Sequence, residues 1–397
     1  MTDLSVAVVG AGIGGLAAAN ALRAKGIAVD VLEQAPAIGE IGAGVQLAPN
    51  GLRQLDRIGV GPAVREVVVP FGPGSTYRRE DGSPVTSVVV GSSDGAYPVA
   101  GVHRADLLDA LLAPLPSDSL HTGHTVADVV TLEHGAEIRL TDGRVRRADV
   151  VVGADGIHSR VREAVTAPSA PQFSGQVAYR GLVPRSRVPD WPADAFEVWM
   201  GGGRHLLVFP VRGGDLINVV GFVPADDEMR ESWSAPGDPR QLIAEFSGWD
   251  ERTTRLLSQI DSTNRWGMYD REPLSRWTTG HVTLLGDAAH PMLPHVGQGA
   301  NQAIEDAAVL AELLAGADAE SAPAALQRYS DIRLGRTSSV QAGSRRSGRR
   351  YDSQFSDLDR RDAELEESKE FRRWLYDIDV VADLVATSHP STQGSTT

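Results

Sequence analysis

The sequence predicts an α/β protein: a parallel, helix-flanked layer interleaved with an antiparallel sheet and followed by a C-terminal helical segment. Three observations carry this reading. A β-branched run, a glycine-rich turn, an Ala-rich helix and a second strand open the chain. A strand followed by glycine and an acid recurs near residues 149 and 282. Between these, residues 172–223 read as antiparallel strands broken by Gly-rich turns.

The elements follow in order. Residues 4–9 (Leu-Ser-Val-Ala-Val-Val) suit a buried parallel strand. Residues 16–25 carry apolar side chains at helical spacing, Gly26 stops them, and 28–33 form the second strand. Residues 39–50 read as a glycine-rich loop, 51–59 as helix extended through 63–69, and 85–90 as strand. A helix is predicted over 103–113, then a meander from 125–131 and 136–140 with a turn at Asp142-Gly143. Residues 149–153 are another buried strand, after which strand, glycine, acid and helix recur. Strands at 176–183, 196–200, 206–211 and 216–223 make the antiparallel sheet, and 239–248 a helix. Residues 282–285 form the last clear buried strand, 301–314 a strong helix, and helical character continues to about 350. From Ser388 the chain is Ser/Thr-rich, as in a frayed end.

The bulk composition narrows the function. At 397 residues the chain points to two or three packed units of about 150 residues each. With 42% hydrophobic and 23% charged residues it has the balance of a soluble globular protein. A net charge of -14 argues against nucleic acid as a partner. The absence of cysteine excludes disulfides, thiolate metal sites and cysteine nucleophiles, and no other metal site is expected. No stretch reaches membrane-spanning length and the first residues lack a signal-peptide pattern, so a cytoplasmic protein is expected.

Gly10, Gly12 and Gly15 form G-x-G-x-x-G between strand and helix. The first glycine permits the tight turn, the second lets a pyrophosphate approach, and the third lets helix and strand pack closely. The helix N-terminus offers unpaired N–H groups to phosphate. Glu33, with Gln34 after it, ends the second strand where a carboxylate can hold a ribose 2′-hydroxyl. A turn without a ligand is the bland alternative. Strand, helix, second strand and terminal acid together favour FAD or NAD over NADP.

Two further motifs turn the dinucleotide into FAD. Gly153-Ala154-Asp155-Gly156 follows a strand and precedes His158-Ser159-x-x-Arg162. Gly286-Asp287-Ala288-Ala289-His290-Pro291 follows another and runs through Pro294 to Gly297-Gln298-Gly299-Ala300-Asn301 and a helix. Asp287, at a strand's C-terminal end, can bind ribityl hydroxyls. A helix starting near Asn301 can aim its dipole at the flavin N1–C2=O edge, where charge gathers on reduction.

With these three signatures in this order, the chain resembles the single-component aromatic-hydroxylating flavoprotein monooxygenases, above all the salicylate and 3-hydroxybenzoate hydroxylase branch. The resemblance runs from about residue 4 to about 380. It implies an FAD monooxygenase that uses NADH or NADPH and O2 to hydroxylate a phenolic or aromatic acid through a flavin C4a-hydroperoxide. Gly10, Gly12, Gly15 and Glu33 would hold the ADP half, and Arg104 would contact the pyrophosphate region. Asp155 belongs to a motif linked to FAD and NAD(P)H, the equal alternative being a helix cap. Asp287 would bind the ribityl chain. Pro294 and residues 297–301 would lie against the flavin ring, with residues 42–45, ending at Val45, near its other side.

The same resemblance implies a Rossmann-like FAD-binding domain from residues 1–75, 100–170 and 270–350, and a substrate-binding sheet domain from 76–99 and 171–269. Residues 351–397 would form the C-terminal helical segment and tail. No second complete dinucleotide fold is visible, so the nicotinamide donor would bind transiently.

A phenol reacts best as phenolate, so the site needs a base. His205 is the candidate, a packed strand histidine being the alternative. His205, Leu207 and Phe209 would share one strand face. Members of the group often carry tyrosine where this chain has Phe209, which removes one hydroxyl contact. His295, Gln298 and, more weakly, Gln46 are further substrate-pocket candidates, and Tyr179-Arg180 would support sheet or cofactor. Arg345, Arg346, Arg349 and Arg350 fit a solvated face or a homodimer contact. Two other functions stay open: a tailoring monooxygenase or epoxidase for a larger natural product, and a non-catalytic flavin-binding protein.

Overall fold

The computed structural model describes residues 4–39, 43–225, 236–353 and 358–388. Gly42, the expected frayed tail and part of the 351–397 segment lie outside them. No helix among the described residues is long and apolar enough to cross a membrane.

Ser5–Val9 lies inside a six-stranded sheet because its side chains bury on both faces. Ala28–Leu32 pairs with it in parallel on one side and Val150–Gly153 on the other. Val282–Leu284 extends the parallel set, Leu120–His121 closes one edge, and the antiparallel Thr278–Thr279 closes the other. Three of these strands end, at the same edge of the sheet, in the three glycine motifs. Ligands of parallel α/β sheets collect at this edge. Ile13–Ala24 and Gly299–Leu314 pack together over it. They meet closely because a Cβ on Gly14 would come within 2.8 Å of Leu285 and 3.0 Å of Ala303.

An eight-stranded sheet forms the second layer. Its order runs Pro236–Gly237, Thr263–Asp270, Gln172–Pro184, Leu216–Pro224, Arg204–Val211, Glu197–Gly201, Thr76–Arg79 and Pro84–Ser87. All neighbours are antiparallel except Glu197–Gly201 with Thr76–Arg79. A small sheet of Gly44–Leu47, Ala100–His103 and Val68–Pro70 lies between the layers. Ala322–Tyr351, Leu358–Asp377 and Val380–Ser388 close the molecule.

Several sequence expectations are corrected. The helix over 63–69 divides into Gly61–Val67 and the strand Val68–Pro70. The strand at 85–90 is Pro84–Ser87. No α-helix follows Asp155, only a 3-10 turn at Val161–Ala164. The helix over 239–248 stops at Glu245, and Asp250 then caps a second helix, Glu251–Leu257. The helix assigned to 301–314 starts at Gly299, directly after the left-handed Gly297. The basic run is a solvated face only in part, at Arg346 and Arg349. Arg345 pairs with Asp270 and Glu272 and Arg350 approaches Glu364, while Arg346, lying over the Phe371 ring, and Arg349 are both exposed.

Candidate flavin and aromatic site

The glycine turn is shaped by steric necessity. Gly10 sits at φ +105°, and a Cβ there would lie 2.5 Å from the Ala154 carbonyl oxygen. A Cβ on Gly15 would lie 1.9 Å from the Gly10 carbonyl oxygen. Gly12, by contrast, faces open space. It begins Ile13–Ala24 with no side-chain cap, which leaves the helix's first N–H groups to a ligand. Glu33 does more than the sequence suggested. Its carboxylate accepts the Ala11 and Ala35 N–H groups, each at 2.8 Å, and so ties the second strand's end to the turn. Gln34 is exposed beside it.

Asp155 acts as a cap. It accepts the Ser159 hydroxyl at 2.6 Å and the Arg160 and Val161 N–H groups at 2.7 and 3.2 Å. The turn so fixed presents Arg162, whose Nε donates to the Ala288 carbonyl at 2.7 Å and Nη2 to that of Asp287 at 2.9 Å. The Asp-Gly motif thereby holds the Gly-Asp motif's backbone. Burial and neighbouring Arg271 push the Arg162 guanidinium down to about 10.

The Asp287 side chain reaches solvent although protein surrounds most of it, as in a cleft. That enclosure pushes its carboxyl upward against the pull of His290, Arg104 and Arg162. Arg104 also lies close enough to push the buried Arg180 guanidinium, with burial the larger cause, down to about 9. Arg180 lies 4.3 Å over the Trp266 ring. Tyr179 donates to Gln241 and so supports the sheet.

Across the cleft, Asn301 staples two backbone segments. Its Oδ1 accepts the Ala48 N–H at 2.8 Å, and its Nδ2 donates to the Gln46 and Gly297 carbonyls at 3.0 and 2.7 Å. Its side chain thus shapes the ring site without facing it. Gly297 holds φ +65° against the Gln46 side chain, and Pro294, Gly299 and Ala300 remain half-buried. Gln298 turns inward to Asn50 and Gln302, so its amide is engaged in the interior rather than offered to a substrate. Val45 pairs with Val102, and the Arg104 N–H donates to the Ala43 carbonyl, which fixes this strand beside Arg104.

Beneath the ring site lies a buried charge network. Asp306 accepts the Gly286 N–H at 3.0 Å and pairs with His290 Nε2 at 2.6 Å. Arg333 bridges Asp306 and Glu305 at 2.7 and 2.6 Å, and Arg336 joins Glu305 at 2.8 Å. Burial opposes both carboxylates' ionisation, yet His290 and Arg333 hold Asp306, and the two arginines Glu305, below the ordinary range.

His205 is 1% exposed on the central strand of the second layer. Its ring stacks on Phe222 at 4.1 Å and 11°, with His295 at 5.2 Å and Tyr351 at 5.3 Å. Its Nδ1 meets Asp352 Oδ1 at 2.6 Å. His295 belongs to the turn Pro294–Val296, next to Gly297, which brings this cluster alongside the flavin loop. Phe209 shares the His205 face but packs inward, on Phe71 and Phe196 and against Gly44.

Two residues escaped the sequence reading. Asn218, opposite Phe209, accepts the Gly44 N–H at 2.8 Å, while its Nδ2 is buried without a partner among the described residues. Asp352 ends the long helix Ala322–Tyr351. A lone amide inside Leu-Ile-Asn-Val-Val-Gly-Phe-Val was a legible signal for the first. Asp352 had none, because its partner lies 147 positions away.

These residues fit FAD. An uncapped helix end at the open Gly12, a cleft carboxylate and an orphaned buried donor beside Gly44 suit phosphate, ribityl and ring in turn. Such a cradle defines a flavin-binding oxidoreductase.

The comparisons with known proteins agree. Residues 3–344 match the FAD binding domain family. A 3-amino-4-hydroxybenzoate 2-monooxygenase of Streptomyces platensis is 39% identical over 87% of this chain and 88% of its own. A salicylate hydroxylase of Pseudomonas putida is 34% identical over 96% and 94%. A solved salicylate hydroxylase substrate complex superposes with a TM-score of 0.84 at 31% identity, covering 98% of this chain and 99% of that one. The chain belongs to the FAD-dependent aromatic hydroxylases, and its cofactor is FAD.

Proposed function

We propose that this enzyme uses NADH or NADPH and O2 to hydroxylate the ring of a phenolic aromatic acid, with His205 as the base that takes the phenolic proton. The observation that carries this reading is the placement of His205. It is a buried imidazole beside the turn Pro294–Val296, which leads straight into the flavin loop. When bound, FAD supplies the oxygen-activating redox chemistry. The protein's part is to bind, orient and deprotonate. His205, with Nδ1 held by Asp352, offers Nε2 as the acceptor. Removing the proton raises the ring's electron density, which electrophilic oxygen insertion requires. Phe222 and the neighbouring rings exclude water from the reacting side chain.

The substrate class rests on the relatives, which carry hydroxybenzoates in their names. Within this reading Arg104, Asp155 and Asp287 serve the cofactor, Asp155 through Arg162. The sheet domain covers the substrate, the nicotinamide donor binds transiently and the enzyme works in the cytoplasm. Purified protein should be yellow, and a panel of hydroxybenzoates and aminohydroxybenzoates should contain a compound that accelerates NAD(P)H oxidation and gains one oxygen by mass. A flavin-loaded protein that no phenolic acid stimulates would exclude this substrate class.

A further inference from the structure

We infer that Asp352 is a positioning residue for the base: it fixes His205 in the tautomer and orientation that leave Nε2 free to accept the substrate's proton. The inference rests on the reading of His205 as that base and adds a second residue to it.

The two side chains meet at 2.6 Å across 147 residues, one on the sheet and the other at the end of Ala322–Tyr351. Their side chains are 2% and 15% exposed, so water competes weakly for the bond. An ionised carboxylate only accepts hydrogen bonds, so Nδ1 must carry the proton it receives. In a neutral imidazole the lone pair then sits on Nε2. Phe222, stacked at 11°, fixes the plane of the ring, and Asp352 fixes its rotation within that plane. Carboxylates serve catalytic and metal-bound histidines in this way elsewhere.

The other groups facing the ring do not duplicate the role. His295 approaches from the flavin-side turn, and burial, with the His205 ring beside it, pushes it down to about 3, so it is neutral at working pH. Tyr351 approaches from the helix. Its hydroxyl receives the Arg372 Nη2 donor at 2.9 Å and lies 3.4 Å from that of Tyr77. Among the described residues His295, Tyr351 and Asp352 are the titratable groups in contact with His205, and Asp352 is the one carboxylate.

A tie that merely closes the helix onto the sheet would give the same bond, so the test must separate the two. Asp352→Asn is compared with His205→Ala, the double variant and Asp352→Glu, using two substrates. One has an ordinary phenol; the other is a ring-fluorinated analogue already ionised at the assay pH. His205→Ala should lower kcat on the ordinary phenol by about 100-fold or more, and Asp352→Asn by roughly 10-fold or more. The double variant should be no slower than His205→Ala, and Asp352→Glu should recover part of the rate. With the ionised analogue, Asp352→Asn should run near the unmodified rate.

Loss at His205→Ala with full activity at Asp352→Asn overturns the positioning role alone. Full activity of His205→Ala on the ordinary phenol overturns the base assignment itself. Equal losses of Asp352→Asn on both substrates, or a lowered melting temperature and FAD content in Asp352→Asn and Asp352→Glu alike, identify a structural tie and overturn the inference.

Discussion

His295 is surrounded by rings, with Phe222 at 5.4 Å and His205 at 5.2 Å, and its Nδ1 has no hydrogen-bond partner among the described residues. Burial, with the His205 ring beside it, takes it from 6.5 to about 3 in the folded chain. Between those values the unfolded chain binds a proton that the folded chain does not. Its contribution to stability is therefore complete above pH 6.5 and is lost as pH falls from there toward 3. Unfolding in urea at pH 7.5 and 5.5 should cost the unmodified protein about 1 kcal/mol more stability than His295→Asn. An equal loss in both proteins would contradict a neutral buried His295. At this scale much of the site was legible. Gly10, Gly15 and Asp287 have backbone or charge requirements that few other residues meet. Glu33, Asp155 and Asn301 stand out in the sequence, but their side chains reach backbone groups that spacing alone does not reveal.

Among the elements, the helix Gly299–Leu314 does the most to assemble the site. Its first turn faces the cleft, and its adjacent acidic pair, Glu305 and Asp306, meets Arg333 on the next helix. Asp306 in turn holds the Gly286 N–H and His290, so the Gly-Asp motif depends on the balance of this network. Arg333→Met leaves two buried carboxylates under-compensated and should destabilise the fold by about 3–5 kcal/mol. FAD should also dissociate faster. An unchanged melting temperature with unchanged flavin retention would show that the network does not support the motif. The strand and helix patterns found these elements because their apolar periods are strong. Helix starts were harder to place. Gly297 and Gln298 end one turn and begin the helix without a capping side chain, so the sequence start appeared two residues late. The short turn after Asp155 mimicked a helix start because its cap residue is real while its helix is not.

At the scale of the molecule, two sheets bring together residues from nearly the whole length of the chain. The parallel layer aims Gly12, Asp287 and the Gly299 helix end at one edge, and the antiparallel layer supplies His205 and Asn218. The small sheet carrying Gly44 joins them through the Asn218–Gly44 bond. The parallel layer was legible because each of its motifs is local in sequence. The surroundings of His205 were not, because they depend on the C-terminal helices that bring Asp352, Tyr351 and Arg372 to the second sheet. On this reading the assembly inserts one atom of O2 into a phenolic ring. The most direct test is a single reaction under 18O2, with FAD-loaded protein, NAD(P)H and the phenolic acid that most stimulates it. The expected product is ring-hydroxylated and carries one 18O atom. NAD(P)H oxidised to NAD(P)+ with all the O2 reduced to hydrogen peroxide, and the aromatic acid recovered unlabelled, would overturn this.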